Sequence, residues 1–396
     1  MSTASKKSIV GKFSELDSAS IAVNQARCAK VRNRNVECLK CAQACTSGCI
    51  SLVDGELVVD SSKCVGCGTC ATVCPTCALE ARNPSDAELL NACLAARCGD
   101  SVEICCSQLA TALDGFIDKE KYAQVVCLGR VDETLICELA ARGVSDIHLG
   151  CGDCSACAQR FGKQTAETVA KTAEELFLVW NVPAKLSIKE GASAKILQES
   201  ATDESAHERI ARFFSEPKAC ATLESAKSEK GQGPRDSSEA KQHQAFPLPH
   251  VMKDGTLPHF VPDRRERLLN ALSSFGSAHE PSLSTRLWGC VVIDGTKCSS
   301  CRMCATFCPT GAIRKFDAED GTMGVTHRPE DCVKCGSCRD ICPEEAILIL
   351  DEVKTGYLMD GKSHHYTMNP RPVKLDDPHQ ILNTMKDKIE GNLYER

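Results

Sequence analysis

Three stretches of this chain space their cysteines in the same uneven way, with two residues between each of the first three, three before the fourth, and a proline directly after. They are Cys64, Cys67, Cys70 and Cys74; Cys298, Cys301, Cys304 and Cys308; and Cys332, Cys335, Cys338 and Cys342. Thiols at this interval can converge from one tight loop, and the proline fixes the backbone and removes a donor where the loop ends. The 396 residues contain 29 cysteines, falling between Cys28 and Cys77, between Cys93 and Cys157 and between Cys290 and Cys342, with Cys220 alone.

Two uses compete for so many thiols. Secreted proteins spend them on disulfides, whereas proteins of reducing compartments use them as metal ligands. The first twenty residues contain no apolar core or small-residue cleavage pattern, so no signal peptide is expected. No stretch approaches the roughly 18 apolar residues of a membrane span. The reading is therefore a cytoplasmic chain with thiols as ligands. A net charge of −6 without a dense basic tract argues against nucleic acid as a partner, because phosphate neutralisation needs a basic face.

The cysteine rhythm resembles that of bacterial dicluster ferredoxins, in which the fourth cysteine of each run ligates the other cluster of the pair. At the C-terminal end this implies one [4Fe–4S] cluster on Cys298, Cys301, Cys304 and Cys342 and another on Cys332, Cys335, Cys338 and Cys308. Zinc also binds paired Cys-x2-Cys motifs, but it requires neither the third cysteine nor the Cys-Pro ligand.

The two ends repeat each other. Cys45-Thr-Ser-Gly-Cys49-Ile matches Cys308-Pro-Thr-Gly-Ala312-Ile, and the run from Cys64 to Pro75 matches that from Cys332 to Pro343. In this alignment Cys38, Cys41 and Cys45 correspond to Cys301, Cys304 and Cys308, and Asn35 stands where Cys298 should be matched. Cys28 lies upstream, before Arg32-Asn-Arg34, and so resembles ferredoxin-type proteins whose first cysteine is displaced ahead of an Arg-x-Arg. The resemblance implies Cys28, Cys38, Cys41 and Cys74 on one cluster and Cys64, Cys67, Cys70 and Cys45 on the other. The alternative is a three-cysteine [3Fe–4S] or labile site. Cys49, Cys77 and Cys290 read as small buried residues. Hairpins are expected over 50–59, turning at Asp54-Gly55, and over 313–326, turning at Asp320-Gly321.

Residues 86–190 alternate strand and helix signals: strands at 101–106, 123–127, 145–149 and 184–188, and helices at 132–142 and 156–181. The long helix has Phe161, Val169, Ala173, Leu176 and Trp180 near one face. This pattern predicts a small parallel α/β sheet. Cys105 and Cys106, then Cys127, then Cys151, Cys154 and Cys157 follow successive strands, at the edge where such sheets bind ligands. Helix N-termini there favour an anionic, thiolate-bound centre. Cys93 and Cys98 read as packing residues, with Cys98 the one that could reach this edge.

Cys127-Leu-Gly-Arg130 and Gly150-Cys151-Gly-Asp-Cys154 resemble the delta subunit of methyl-viologen-reducing hydrogenase, over residues 102–188. That resemblance implies a [2Fe–2S] cluster and electron relay between a hydrogenase and a heterodisulfide reductase. The family has Cys-x2-Cys after its first strand, whereas here Cys105-Cys106 is followed by Ser107, Gln108 and Leu109. The implied ligands are Cys106, Cys127, Cys151 and Cys154, with Cys105 or Cys157 as substitutes. Whether the cluster is [2Fe–2S] or [4Fe–4S] stays open.

The organisation expected is thus α+β and α/β multidomain: a dicluster ferredoxin module over 1–85, the α/β domain over 86–190, a flexible linker with short helices over 191–284, a second dicluster module over 285–355 and a polar tail over 356–396, in which His364 and His365 read as solvated. The function expected is an electron-transfer subunit with four or five clusters, partnered by a hydrogenase, formate dehydrogenase, heterodisulfide reductase, flavoprotein or molybdopterin oxidoreductase. A redox enzyme working through the central cysteines or a bound flavin is the main rival, although no G-x-G-x-x-G fingerprint opens the α/β domain. A cluster scaffold or redox sensor is a third reading.

Overall fold

Asp54 and Gly55 both take positive φ, 51° and 83°, the backbone that a two-residue hairpin turn requires. In the computed structural model, which describes residues 20–198, 203–215 and 251–369, this turn joins β2 (Ile50–Val53) to β3 (Glu56–Val59). β1 (Ile21–Val23) pairs antiparallel with β4 (Leu79–Ala81) and so ties the start of the module to its end.

The central domain follows. Helix α1 (Asp86–Ala95) starts at a capping box in which Ser85 and Glu88 satisfy each other's backbone donors. Strand β5 (Ser101–Cys106) is buried along its whole length, as a central parallel strand must be. After it come α2 (Ser107–Ala112), β6 (Ala123–Val125), α3 (Glu133–Ala141), β7 (Asp146–Cys151), α4 (Phe161–Trp180) and β8 (Lys185–Glu190). The sheet runs parallel in the order β6-β5-β7-β8. Asp132 caps α3, accepting from the backbone N–H of Leu135 at 2.8 Å. Val169, Ala173, Leu176 and Trp180 are buried, as the helical period predicts, whereas Phe161 is exposed.

The stretch expected as a flexible linker is partly docked. Helix α5 (Asp203–Ser215) lays Arg209 over the Phe116 ring and against the Ala112 carbonyl. Helix α6 (Asp263–Ser274) packs on α3 with Leu268, Ala271 and Leu272 buried. Arg267 pairs with Glu138 and Asp86, and Arg286 pairs with Glu133 at 2.7 Å. One apolar core runs from Leu89 in the central domain through Leu272 and Trp288 to Leu358. Helix α6 is therefore bound to the central domain, and before it the backbone N–H groups of Leu257 and Phe260 donate to the Thr306 and Pro309 carbonyls of the C-terminal module, so this segment is no free tether. Cys220 and the helix expected around 378–389 lie outside the described residues.

The C-terminal module repeats the plan of the first. β9 (Ser282–Ser284) pairs with β14 (Glu352–Lys354), β10 (Cys290–Ile293) with β13 (Ile347–Leu350), and β11 (Ile313–Asp317) with β12 (Met323–His327). The tail needs correction. His364–Met368 forms β15, paired with β12 from His327↔His364 to Met323↔Met368. Its inward residues include His364 and Tyr366, so a polar composition hid the period-two pattern of a strand. His364 is half-buried and stacks on Tyr357 at 4.3 Å between centroids, while His365 is exposed.

His327 is fully buried, and neither ring nitrogen has a hydrogen-bond partner. Burial, then neighbouring His364, pulls it down to about 3, so it folds neutral. Below its unfolded value near 6.5 the unfolded chain binds the extra proton. Its contribution is therefore complete above that value and is lost as pH falls toward the folded one. Between pH 7 and pH 5 this amounts to about 2 kcal/mol. Denaturation at the two pH values should show the wild-type protein losing more stability than His327→Phe by roughly that amount; equal losses would contradict it.

Candidate metal centres

In the first module, one-turn helices present the thiols. Cys28 precedes the turn Ala29–Arg32, Cys41 lies within Lys40–Gln43, and Cys70 lies within Thr69–Val73, which begins at left-handed Gly68. The structure gathers Cys28, Cys38, Cys41 and Cys74. Burial pushes Cys41 up to about 12, and Cys74, Cys28 and Cys38 around it add to the rise. Burial also raises Cys28 and Cys38, and each feels Cys74. Backbone N–H groups of Val31 and Lys30 oppose this at Cys28, and the N–H of Ala78 donates to Cys74 Sγ at 3.2 Å. Amides aimed at sulfur favour the thiolate, the form that binds metal. The second set is Cys45, Cys64, Cys67 and Cys70: burial raises Cys70 first, then Cys67, Cys64, Cys41 and Cys45.

The C-terminal thiols sort the same way. Cys304 is pushed up to about 12 by burial, with Cys301, Cys298 and Cys342 beside it. Cys338 is raised by burial, then by Cys332, Cys335 and Cys308. The backbone N–H of Ser300, itself in the left-handed region, donates to Cys298 Sγ at 3.4 Å.

Cys49 is buried, as expected of a packing residue that aligns with Ala312 in the repeat. Its Sγ lies 3.5 Å from Cys45 Sγ, and burial, reinforced by Cys45 and Cys64, holds it near 12. Cys77 is buried. Cys290 is 3.6 Å from His364 Nε2.

At the sheet edge, Cys106 caps α2 and accepts from the Leu109 N–H at 3.4 Å. Cys154 is its near thiol. Cys127, pushed up to about 12 by burial, feels Cys67, Cys106 and Cys157. Cys154 is raised chiefly by its hydrogen bond with Cys151. Cys106, Cys127, Cys151, Cys154 and Cys157 are thus neighbours. Cys105 feels Cys106 after burial and Glu103. Consecutive strand residues point to opposite faces, and Cys105 Sγ lies against Glu103, 3.9 Å away. Cys93 is fully buried in α1, and Cys98 bonds Ala96 before β5 begins, away from this edge.

Among the described residues, no group of three or more His, Cys, Asp or Glu side chains is positioned to hold a single metal ion. The surroundings do fit an anionic, thiolate-bound cluster. Nε of Arg32, Arg130 and Arg265 and Nη1 of Arg265 are buried without a partner, and each side chain lies beside a cysteine loop. Arg32 donates to the Cys308 carbonyl at 3.4 Å, and Arg265 to that of Cys332 at 3.4 Å. Arg130 packs on Gly68. Burial pulls Arg265 down to about 10, and nearby Cys332 works against that. Arg130 pairs with Asp86, whereas the hydrogen bonds of Arg32 and Arg265 go to carbonyls, and negative charge on the thiols would supply what those two lack.

The fold and these thiol sets define an iron–sulfur electron carrier, and comparison with known proteins agrees. Residues 297–346 match the 4Fe-4S dicluster domain, and residues 57–80 match the 4Fe-4S binding domain. Three relatives come from Methanocaldococcus jannaschii. One uncharacterized ferredoxin is 38% identical over 16% of this chain and 97% of its own length. Another is 34% identical over 16% of this chain and 40% of its own length, so this chain spans less than half of that relative. The pyruvate synthase subunit PorD is 35% identical over 16% of this chain and 69% of its own length. The chain belongs to the ferredoxin family, and its two ferredoxin-type domains carry [4Fe–4S] clusters.

Cys28→Ala is expected to lower bound iron by about four per chain, or by about one if a three-iron cluster forms instead. Cys49→Ala should leave iron unchanged. Iron analysis of anaerobically purified variants checks both; full iron in Cys28→Ala would remove Cys28 from the ligand set.

Proposed function

We propose that the chain is an electron-transfer subunit that relays electrons between partner redox enzymes through four [4Fe–4S] clusters and a fifth cluster in the central domain. The ligands are Cys28, Cys38, Cys41 and Cys74; Cys45, Cys64, Cys67 and Cys70; Cys298, Cys301, Cys304 and Cys342; and Cys308, Cys332, Cys335 and Cys338. The observation that supports this reading is that a buried thiol in each set, Cys41, Cys70, Cys304 or Cys338, feels the other three thiols proposed for its set. Such clusters supply one-electron chemistry when bound, over a wide span of potentials. The chain's own part is to exclude water, aim amides at sulfur and set nearby charge.

The fifth centre, [2Fe–2S] or [4Fe–4S], would take Cys106, Cys127, Cys151 and Cys154, with Cys157 as a substitute. The likeness of residues 102–188 to a hydrogenase delta subunit supports the adaptor role, and that to PorD supports oxidoreductase partners. Hydrogenase, formate dehydrogenase, heterodisulfide reductase, flavoprotein and molybdopterin enzymes all suit this chemistry. No helix of the described residues is long and apolar enough to cross a membrane, and the cytoplasm is the compartment proposed.

A second reading, a redox enzyme in its own right, is favoured by one feature. A cavity of about 450 Å³ lies between Cys74, Phe161, Arg264 and Arg286, large enough for an organic cofactor.

Reductive titration with dithionite under anaerobic conditions separates the two. The relay reading expects roughly four to five electrons per chain, one per cluster, with broad bleaching of thiolate–iron absorption. A flavin band in the pure protein, or turnover without partners, would favour the enzyme.

A further inference from the structure

Two joints connect the modules, and each brings a different cysteine loop into contact. At the first, the Cys67–Cys70 loop meets the Cys127-Leu-Gly-Arg130 turn. Thr72 donates to the Arg130 carbonyl at 3.1 Å. A Cβ on Gly68 would collide with Arg130, and one on Gly129 with Thr69, so only glycine allows these backbones to approach. Here Cys67 acts on Cys127. A Cβ on Gly162 would strike Cys127 Sγ, which keeps α4 close over the same thiol.

At the second joint, the segment between Cys28 and Cys38 lies on the C-terminal module. Val36 is fully buried in a small apolar cluster with Ala29 and Ile341, and Cys38, Met303, Phe307 and Cys335 pack around it. The Glu37 N–H donates to Asp340 at 3.1 Å, and Arg32 reaches the carbonyls of Pro258 and Cys308. Cys38 contributes to the rise at Cys335 across the joint, after burial and the nearer thiols Cys308 and Cys332.

We infer that the centres stand in one fixed line. It runs from the central thiols to Cys45/Cys64/Cys67/Cys70, then Cys28/Cys38/Cys41/Cys74, then Cys308/Cys332/Cys335/Cys338, and ends at Cys298/Cys301/Cys304/Cys342. This rests on the relay reading above and adds which centres face each other between modules. Electron transfer falls steeply with distance, so the facing pairs make a single route without branches. With clusters bound, each step would pass one electron from a reduced centre to an oxidised neighbour, with no bond broken and no proton moved. A reduced low-potential redox protein supplies the electron at one end, and an oxidised partner removes it at the other.

Two double variants of the full chain test the order. Cys67→Ala with Cys301→Ala leaves, besides the isolated central centre, the two clusters said to face each other across the second joint. Cys67→Ala with Cys335→Ala leaves, besides the central centre, two that are separated by a missing station. Each should retain about ten to twelve irons per chain, about eight on two [4Fe–4S] clusters and about two or four on the central centre. EPR of the dithionite-reduced proteins should show a spin–spin split signal in the first and only simple signals in the second. Equal spectra with iron retained would overturn the order, whereas loss of iron beyond the removed clusters would overturn the ligand sets beneath it. Val36→Asp replaces no thiol, although Cys38 and Cys335 pack against Val36, and should keep full iron while narrowing the wild-type spectrum; an unchanged spectrum would also overturn the order.

Discussion

Buried cysteine sulfur and buried arginine nitrogen impose the constraint on which this structure depends. Cys41, Cys70, Cys304 and Cys338 are raised by burial, which disfavours the thiolate. Nε of Arg32 and two nitrogens of Arg265 are buried beside the same loops without a partner. A buried charge left alone is costly. An anionic cluster on four thiolates resolves both problems together, since it deprotonates the sulfurs and gives these two arginines a counter-charge. Packing and charge at the joints therefore depend on the clusters.

The segment around α6 shows how the pieces are held. Arg264 and Arg265 are adjacent in sequence yet serve different modules. Arg264 donates to the carbonyls of Ala71 and Cys74, at 3.1 and 2.7 Å. Arg265 reaches Cys332 and stacks over Trp288 at 4.5 Å. Between them, Leu268 and Leu272 anchor the helix to the central core. Modules far apart in sequence are thereby fixed against one domain, a geometry that suits short electron steps better than a swinging arm.

Much of this was legible in the sequence because it is written in local spacing. The cysteine rhythm gave the loops, Asp54-Gly55 gave its hairpin, and the strand-and-helix alternation gave the parallel sheet. What failed had non-local causes. Strand β15 is His-His-Tyr-Thr-Met, whose alternation is invisible until β12 lies beside it. Cys105, expected only as a substitute for Cys106, lies on the face of the pleat that carries Glu103. The docking of α6 depends on Glu133 and Glu138, more than a hundred residues away, which composition could not reveal.

The most direct measurement is iron and acid-labile sulfide per chain in protein purified without oxygen, with EPR of the reduced form. Four clusters predict about 16 irons with matching sulfide, and a centre on the middle thiols raises this to about 18 to 20. Zinc in place of iron, or iron without acid-labile sulfide, would contradict the account.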